Sequence, residues 1–166
     1  MSESKPAPAE LEDLYRRHSN AAFGFAFLLT GDRYAAQDLV QEAFVRMVGR
    51  FEHLRHREAF DAYLRRTVLN LFLSSRRRAR LERAHAERER AVAITPAGEP
   101  DVAAREDLWR ALLELPPRQR AALVLRYYED MSEQRTAEVM GSSVAAVKSL
   151  VQRGTEALRT RIGREL

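Results

Sequence analysis

Ser132-Glu133-Gln134-Arg135-Thr136-Ala137-Glu138-Val139-Met140-Gly141-Ser142-Ser143-Val144-Ala145-Ala146-Val147-Lys148-Ser149 reads as two short helices meeting at a tight turn. Ala137, Gly141 and Val147 sit at the spacing of a helix-turn-helix. The small Ala137 allows close helix approach, Gly141 takes a positive-φ turn that a side chain resists, and Val147 plugs the angle between the helices. Ser132 and Ser143 stand where N-caps are needed. On the second helix Val144, Val147, Val151, Leu158 and Ile162 share one face. Ala145, Lys148, Ser149, Gln152 and Arg153 share the other. That second face offers small residues, an amide, a hydroxyl and two cations, which is what entry into a DNA major groove requires. A solvated surface helix has the same pattern, and the wheel alone leaves both readings open.

Upstream of this unit the pattern is helical throughout. Leu108, Trp109, Leu112 and Leu115 mark a helix closed by Pro116-Pro117, and Ala121, Val124, Leu125 and Tyr128 mark another. Further upstream, Leu11, Leu14, Tyr15, His18, Ala22, Phe25 and Leu29 form one amphipathic stripe, stopped at Thr30-Gly31-Asp32, with Asp32 as the next N-cap. Leu39, Val40, Ala43, Phe44, Met47 and Val48 form a second stripe. After a charged turn near Glu52–Arg57, Phe60, Tyr63, Leu64, Val68, Leu71 and Phe72 form a third. Between these blocks the apolar periodicity collapses, and Thr95-Pro96-Ala97-Gly98-Glu99-Pro100 breaks any helix. The expected architecture is all-α: a three-helix bundle over residues 9–80, a flexible linker over 81–103, and a four-helix domain with the helix-turn-helix over 104–164.

Composition narrows the function. The 166 residues contain no cysteine, which excludes disulfides and cysteine-based metal sites and suits a reducing, cytoplasmic setting. No apolar run is long enough to insert in a membrane, and Met1–Glu10 carries no secretory signature. His18, His53, His56 and His85 are scattered, so no metal site is expected. No phosphate loop or nucleophile elbow points to an enzyme, and no cofactor is expected. The formal net charge is only +4, from 28 Lys and Arg against 24 acids. Placement of charge therefore matters more than its sum. Between Arg65 and Arg83 there are seven arginines and one acid, Glu82.

Leu115-Pro116-Pro117-Arg118-Gln119-Arg120, Leu125-Arg126-Tyr127-Tyr128-Glu129-Asp130, Ala137-Glu138-Val139-Met140-Gly141, Ser143-Val144 and Val147-Lys148-Ser149 together resemble region 4 of the extracytoplasmic-function (ECF) subfamily of sigma-70 factors, of the actinobacterial type. Asp38-Leu39-Val40-Gln41-Glu42-Ala43-Phe44 resembles their region 2.2. Tyr63-Leu64-Arg65-Arg66-Thr67-Val68, with Asn70 and Arg76-Arg77-Arg78, resembles regions 2.3 and 2.4. Each piece alone is weak; three in this order, over about Leu11–Leu158, are specific.

The resemblance implies an alternative sigma factor that binds core RNA polymerase through its β′ and β subunits and recognises promoter DNA. Asp38, Leu39, Gln41 and Glu42 would form the polymerase contact. Tyr63, Arg65, Arg66, Asn70, Arg76, Arg77 and Arg78 would bind and open the −10 element, and Ser143, Lys148, Ser149, Gln152 and Arg153 would read the −35 element. The family admits an anti-sigma factor as a further partner. Opening a strand needs cations for phosphates, a stacking surface and a pocket for an extruded base. Leu150 stands where the family commonly has Arg, Thr136 replaces an aliphatic residue, Gly154 replaces an Ala, and Ser74 replaces an acid. These departures suggest an altered −35 reader and changed detail at −10. A linker of about 23 residues spans up to ~80 Å when extended, against about 70 Å for two DNA turns. The rival reading is a stand-alone helix-turn-helix regulator, which needs neither the acidic Asp38–Glu42 stripe nor the arginine-rich third helix.

Overall fold

A computed structural model describes residues 8–50, 57–83 and 100–164. Among the described residues there are seven α-helices and no strand. Helix α1 (Pro8–Thr30) buries Ala22, Phe25, Ala26 and Leu29 along the expected stripe. It stops at Gly31, whose φ of 68° is left-handed and whose amide donates to the Phe27 carbonyl at 2.8 Å. Asp32 then caps α2 (Arg33–Val48), its carboxylate accepting from the amides of Tyr34 at 2.9 Å and Ala35 at 3.3 Å. Helix α3 (Arg57–Arg83) closes the first lobe, whose core is built on Phe25, Leu29, Phe44, Met47, Phe60, Leu64, Val68 and Phe72.

The second lobe comprises α4 (Pro100–Glu114), α5 (Pro117–Leu123), α6 (Glu133–Met140) and α7 (Val144–Arg164). Both ends of the expected linker 81–103 are helical, since α3 runs to Arg83 and α4 starts at Pro100. Residues 84–99, with most of the expected breaker, lie outside the described residues, as do 51–56 of the expected charged turn.

Between α5 and α6 the helix widens into a π-helical segment, Val124–Tyr128, closed by Glu129 donating from its amide to the Val124 carbonyl at 3.0 Å. The added residue per turn rotates the face that a regular helix would present. This is why Tyr128, expected in the apolar stripe, is 61% exposed, while Glu129 turns inward. Asp130 follows with a φ of 52°. Leu108 and Val144 also depart from expectation and are 46% and 36% exposed, because α4 and α7 each pack on a narrower stripe than the wheel suggests.

Gly154 has a packing reason rather than only a helix-propensity cost. A Cβ there would stand 2.9 Å from Leu123 Cδ1 and 3.2 Å from its Cγ, so glycine sets the close approach of α7 to α5. Thr136 is fully buried, and its hydroxyl is satisfied by the Ser132 carbonyl at 2.8 Å, so it fills the aliphatic position without an orphaned donor.

The two lobes share one continuous core. Phe27 of α1 stacks on Trp109 of α4, with centroids 5.2 Å apart and planes 16° from parallel. Arg65 of α3 is buried and donates to Glu129 at 2.6 Å and to Asp61. Arg120 of α5 is 2% exposed and donates to the carbonyls of Leu112 (3.0 Å), Leu113 (2.5 Å), Leu115 (2.9 Å) and, across the joint, Leu29. Burial, and after it the charge of Arg76, push the Arg120 guanidinium down to about 10, which leaves it protonated at neutral pH.

Candidate nucleic-acid and polymerase interfaces

The helix-turn-helix forms as its sequence predicts. Ser132 accepts from the Arg135 amide and Ser143 from the Ala146 amide, each at 3.1 Å. Gly141 adopts φ 60° and ψ 38°, and Val147 is fully buried. On the outer side of α7, Lys148, Gln152 and Arg153 are exposed and Ser149 is half-buried. Lys148 Nζ lies 3.6 Å from Glu133 Oε2, an exposed pair that a phosphate could displace at little cost. The Ser143 hydroxyl accepts a capping bond, so any phosphate contact there uses its remaining donor capacity.

Leu150 is half-buried against the core. A cation there would lose apolar contact, although its aliphatic stem would keep part of it. Leu150→Arg is therefore expected to lower stability by about 1 kcal/mol and to give no general gain in DNA affinity. Urea melts beside promoter binding at several salt concentrations check this. An unchanged midpoint with a steeper salt slope would make Leu150 a rim residue.

The residues expected at −10 fall into three places. Tyr63, Asn70 and Arg78 line an open groove of about 550 Å³ together with Arg46, Arg50, Thr67 and Ser74. Its geometry is fixed by Arg50 donating to the Tyr63 hydroxyl at 2.8 Å and by Thr67 donating to the Tyr63 carbonyl at 2.8 Å. The groove combines an aromatic ring, amide and hydroxyl groups and three cations, the set an extruded base needs. Sequence reasoning missed Arg46 and Arg50. Arg46 lies in the last turn of α2 and Arg50 just beyond its end, but periodicity does not reveal that this side of α2 faces α3. Ser74, in place of an acid, leaves the groove without a carboxylate.

Arg66 is exposed close to the helix-turn-helix, its Nη2 being 3.5 Å from where a Cβ on Gly141 would stand. Arg76 and Arg77 line a second cleft facing α5. Arg65 departs furthest from the expected contact set: it is 4% exposed and engaged by Glu129 and Asp61, so in this arrangement it joins the lobes and presents nothing to DNA.

On α2, Asp38, Gln41 and Glu42 form one exposed stripe, with Glu42 accepting from Arg46 at 2.9 Å. Leu39, expected in that contact, is 9% exposed and belongs to the core beneath it, because position 39 falls at the edge of the stripe, on the side turned toward the core. Tyr34 and Val45, 77% and 72% exposed, extend the acidic stripe at both ends. Two large apolar side chains flanking a net acidic patch have the composition of a protein-binding surface. They are apolar residues off the core period, which is the signal that could have found them.

A helix-turn-helix lobe packed on a three-helix lobe, with an arginine-lined groove on one side and an acidic stripe on α2, has the make-up of a two-lobed DNA-binding protein. Residues 14–82 match sigma-70 region 2 and residues 105–158 match sigma-70, region 4. The chain is 36% identical over 155 residues to the RNA polymerase sigma-E factor of Streptomyces coelicolor, covering 90% of this chain and 84% of that one. It is 32% identical to the ECF RNA polymerase sigma factor SigE of Mycolicibacterium smegmatis, over 89% of this chain and 60% of that one. Among solved structures it is similar to the sigma factor RpoE of Bartonella quintana in complex with the anti-sigma factor NepR, with a TM-score of 0.77 and 25% identity over 93% of this chain and 97% of that one. The chain belongs to the ECF subfamily of the sigma-70 family and is an alternative RNA polymerase sigma factor; the stand-alone regulator is not favoured.

Proposed function

We propose that the α2 stripe of Asp38, Gln41 and Glu42, flanked by Tyr34 and Val45, docks on the β′ subunit of core polymerase. The α3 groove around Tyr63 and Asn70 takes a base extruded from the −10 element, with Arg66 and Arg76–Arg78 on its phosphates. Lys148, Ser149, Gln152 and Arg153 of α7 read the −35 element, with Ser143 at the helix start and the β subunit beside this lobe. The single observation that carries the reading is the Tyr63–Asn70–Arg78 groove, in which stacking, amide and cationic groups meet in one place. The protein acts in the cytoplasm, without a catalytic step of its own. No helix among the described residues is long and apolar enough to cross a membrane.

Reading both promoter elements requires the lobes to part, which breaks the Arg65–Glu129 pair and frees Arg65 for DNA. The closed arrangement supports an anti-sigma factor as a further partner, because the likeness to RpoE bound by NepR spans both lobes.

Run-off transcription from promoter fragments with added core polymerase tests the reading as a whole; no start-site-specific transcript would overturn it. For the −10 assignment, Arg76, Arg77 and Arg78 changed together to Ala should weaken promoter binding and flatten its salt dependence by about 0.9 log unit per lost phosphate contact. An unchanged slope would remove these arginines from the DNA interface.

A further inference from the structure

We propose that Glu129 is an internal lock: in the free chain its carboxylate takes the place of a promoter phosphate on Arg65, and the lobes stay closed until core polymerase parts them. The lock rests on the −10 reading of α3 given above and adds a resting state that competes with it.

Arg65 meets two carboxylates of different origin. Asp61 lies one turn earlier on the same helix, while Glu129 comes from the second lobe, 64 residues away in sequence, and accepts at 2.6 Å. The Arg65 and Glu129 side chains are both more than nine-tenths buried, whereas Asp61 is partly exposed. Only Glu129 leaves when the lobes part. Arg65 then keeps Asp61 and gains water on the side that Glu129 vacates, so neither lobe is left with a buried, unpaired charge. In a buried pair desolvation offsets much of the attraction, and separation returns both groups to water, which lowers the cost of opening. Two apolar side chains in the same place would forfeit their whole burial.

The backbone delivers Glu129 to this position. The π-helical turn Val124–Tyr128 points it inward, and its own amide closes that turn on the Val124 carbonyl at 3.0 Å. Asp130 follows with a φ of 52°, a left-handed conformation that residues with a side chain seldom adopt. Two local irregularities thus flank one carboxylate, and π-helical turns recur at functional sites. The caps and turn of the helix-turn-helix lie further on, in Ser132–Val147, and call for neither irregularity.

Closure also covers a second cation. Arg66 lies against the turn between α6 and α7, its Nη2 being 3.5 Å from where a Cβ on Gly141 would stand. Two adjacent arginines of the proposed −10 surface are therefore turned to the second lobe together, one under a carboxylate and one over the turn. A partner that needs the lobes apart has its affinity reduced by the fraction of chains that are open.

The test compares Glu129→Gln with Glu114→Gln, which removes the same charge from an exposed pair inside the second lobe. Because the chain has no cysteine, Asn20→Cys with Glu156→Cys places a donor–acceptor dye pair on exposed positions of the two lobes. The free wild-type chain should show one high-transfer population, and transfer should fall on adding core polymerase. Glu129→Gln should lower transfer in the free chain with helicity unchanged, and should bind core about tenfold more tightly. Glu114→Gln should match the wild type in both. The free Glu129→Gln chain should also bind single-stranded DNA from the −10 side of a promoter fragment more tightly than the wild type, and adding Arg65→Ala should abolish that gain. A wild-type chain that is already in the low-transfer form overturns the lock. So does a Glu129→Gln variant that matches the wild type in transfer and core affinity, that loses helicity, or that is equalled by Glu114→Gln. A gain in DNA binding that survives Arg65→Ala overturns the competition with phosphate. Closure is read with no DNA present, so its failure is distinct from a failed −10 assignment, which the salt slope of the Arg76–Arg78 variant reports.

Discussion

Arg120→Met is expected to destabilise the protein by about 3–5 kcal/mol, a large share of the total stability of a domain, which is on the order of 5–15 kcal/mol. The side chain is 2% exposed and its guanidinium serves four carbonyls. Leu112 and Leu113 lie in the last turn of α4, and Leu115 just follows it, so they include groups a helix end leaves without internal partners. Leu29 belongs to the last turn of α1, in the other lobe. The guanidinium also lies over the Phe72 ring, 5.9 Å from its centroid. One arginine thus closes two helix ends and ties the lobes together. Methionine fills much of the volume but removes the donor from four carbonyls; Leu112 keeps the Leu115 amide at 3.2 Å, while the buried Leu29 and Leu115 acceptors lose the guanidinium, each unsatisfied group costing about 1–3 kcal/mol before relaxation or water entry recovers part. Arg120→Lys should recover only a fraction, since an ammonium has three donors and no planar fork. Urea denaturation followed by circular dichroism measures the difference. A loss under about 1 kcal/mol would mean that water replaces the guanidinium at these carbonyls.

What was legible in the sequence is what neighbouring residues decide. The stop at Gly31, the caps at Asp32, Ser132 and Ser143, the turn at Gly141 and the plug at Val147 each depend on residues within a turn or two. The three apolar stripes of the first lobe follow from period alone. The joint between the lobes was not legible, for a physical reason. Arg65 and Glu129 are 64 residues apart, and Arg120 and Leu29 are 91 apart. Periodicity carries no information on which distant arginine meets which distant acceptor. Arg65 reads as one more cation in a basic helix, and only the fold reveals that Asp61 and Glu129 claim it. The π-helical segment adds to the difficulty, because it turns Glu129 inward by a widening that no residue pattern in Val124–Tyr128 announces. Gly154 is a milder case: as sequence it looks like a weakness, and only the nearness of Leu123 gives it a reason.

Asp38→Arg combined with Glu42→Arg is expected to weaken binding to core polymerase by about 100-fold or more, equivalent to roughly 2.8 kcal/mol. The two changes turn two negative charges into two positive ones on the same exposed face of α2. A cationic partner surface would then meet repulsion where it had attraction, and like charges facing across an interface cost several kcal/mol. Stability should hardly move. Asp38 and Glu42 are exposed, and the second change forfeits only the Glu42–Arg46 pair, worth about 0.3–0.5 kcal/mol in a helix. The control carries the same charge change elsewhere: Glu12→Arg with Asp13→Arg on α1, also exposed and also giving up pairs to Arg16 and Arg17. That control should bind core close to the wild-type level, which separates a local contact from a general effect of net charge. Copurification with core polymerase and a fluorescence binding curve supply the readout, and a thermal melt supplies the fold check. If the α2 double variant and the α1 control lose affinity equally, long-range charge and not the stripe governs docking. If the α2 variant binds core at the wild-type level with an unchanged melt, the docking surface lies elsewhere, and Tyr34 and Val45 are exposed for some other partner.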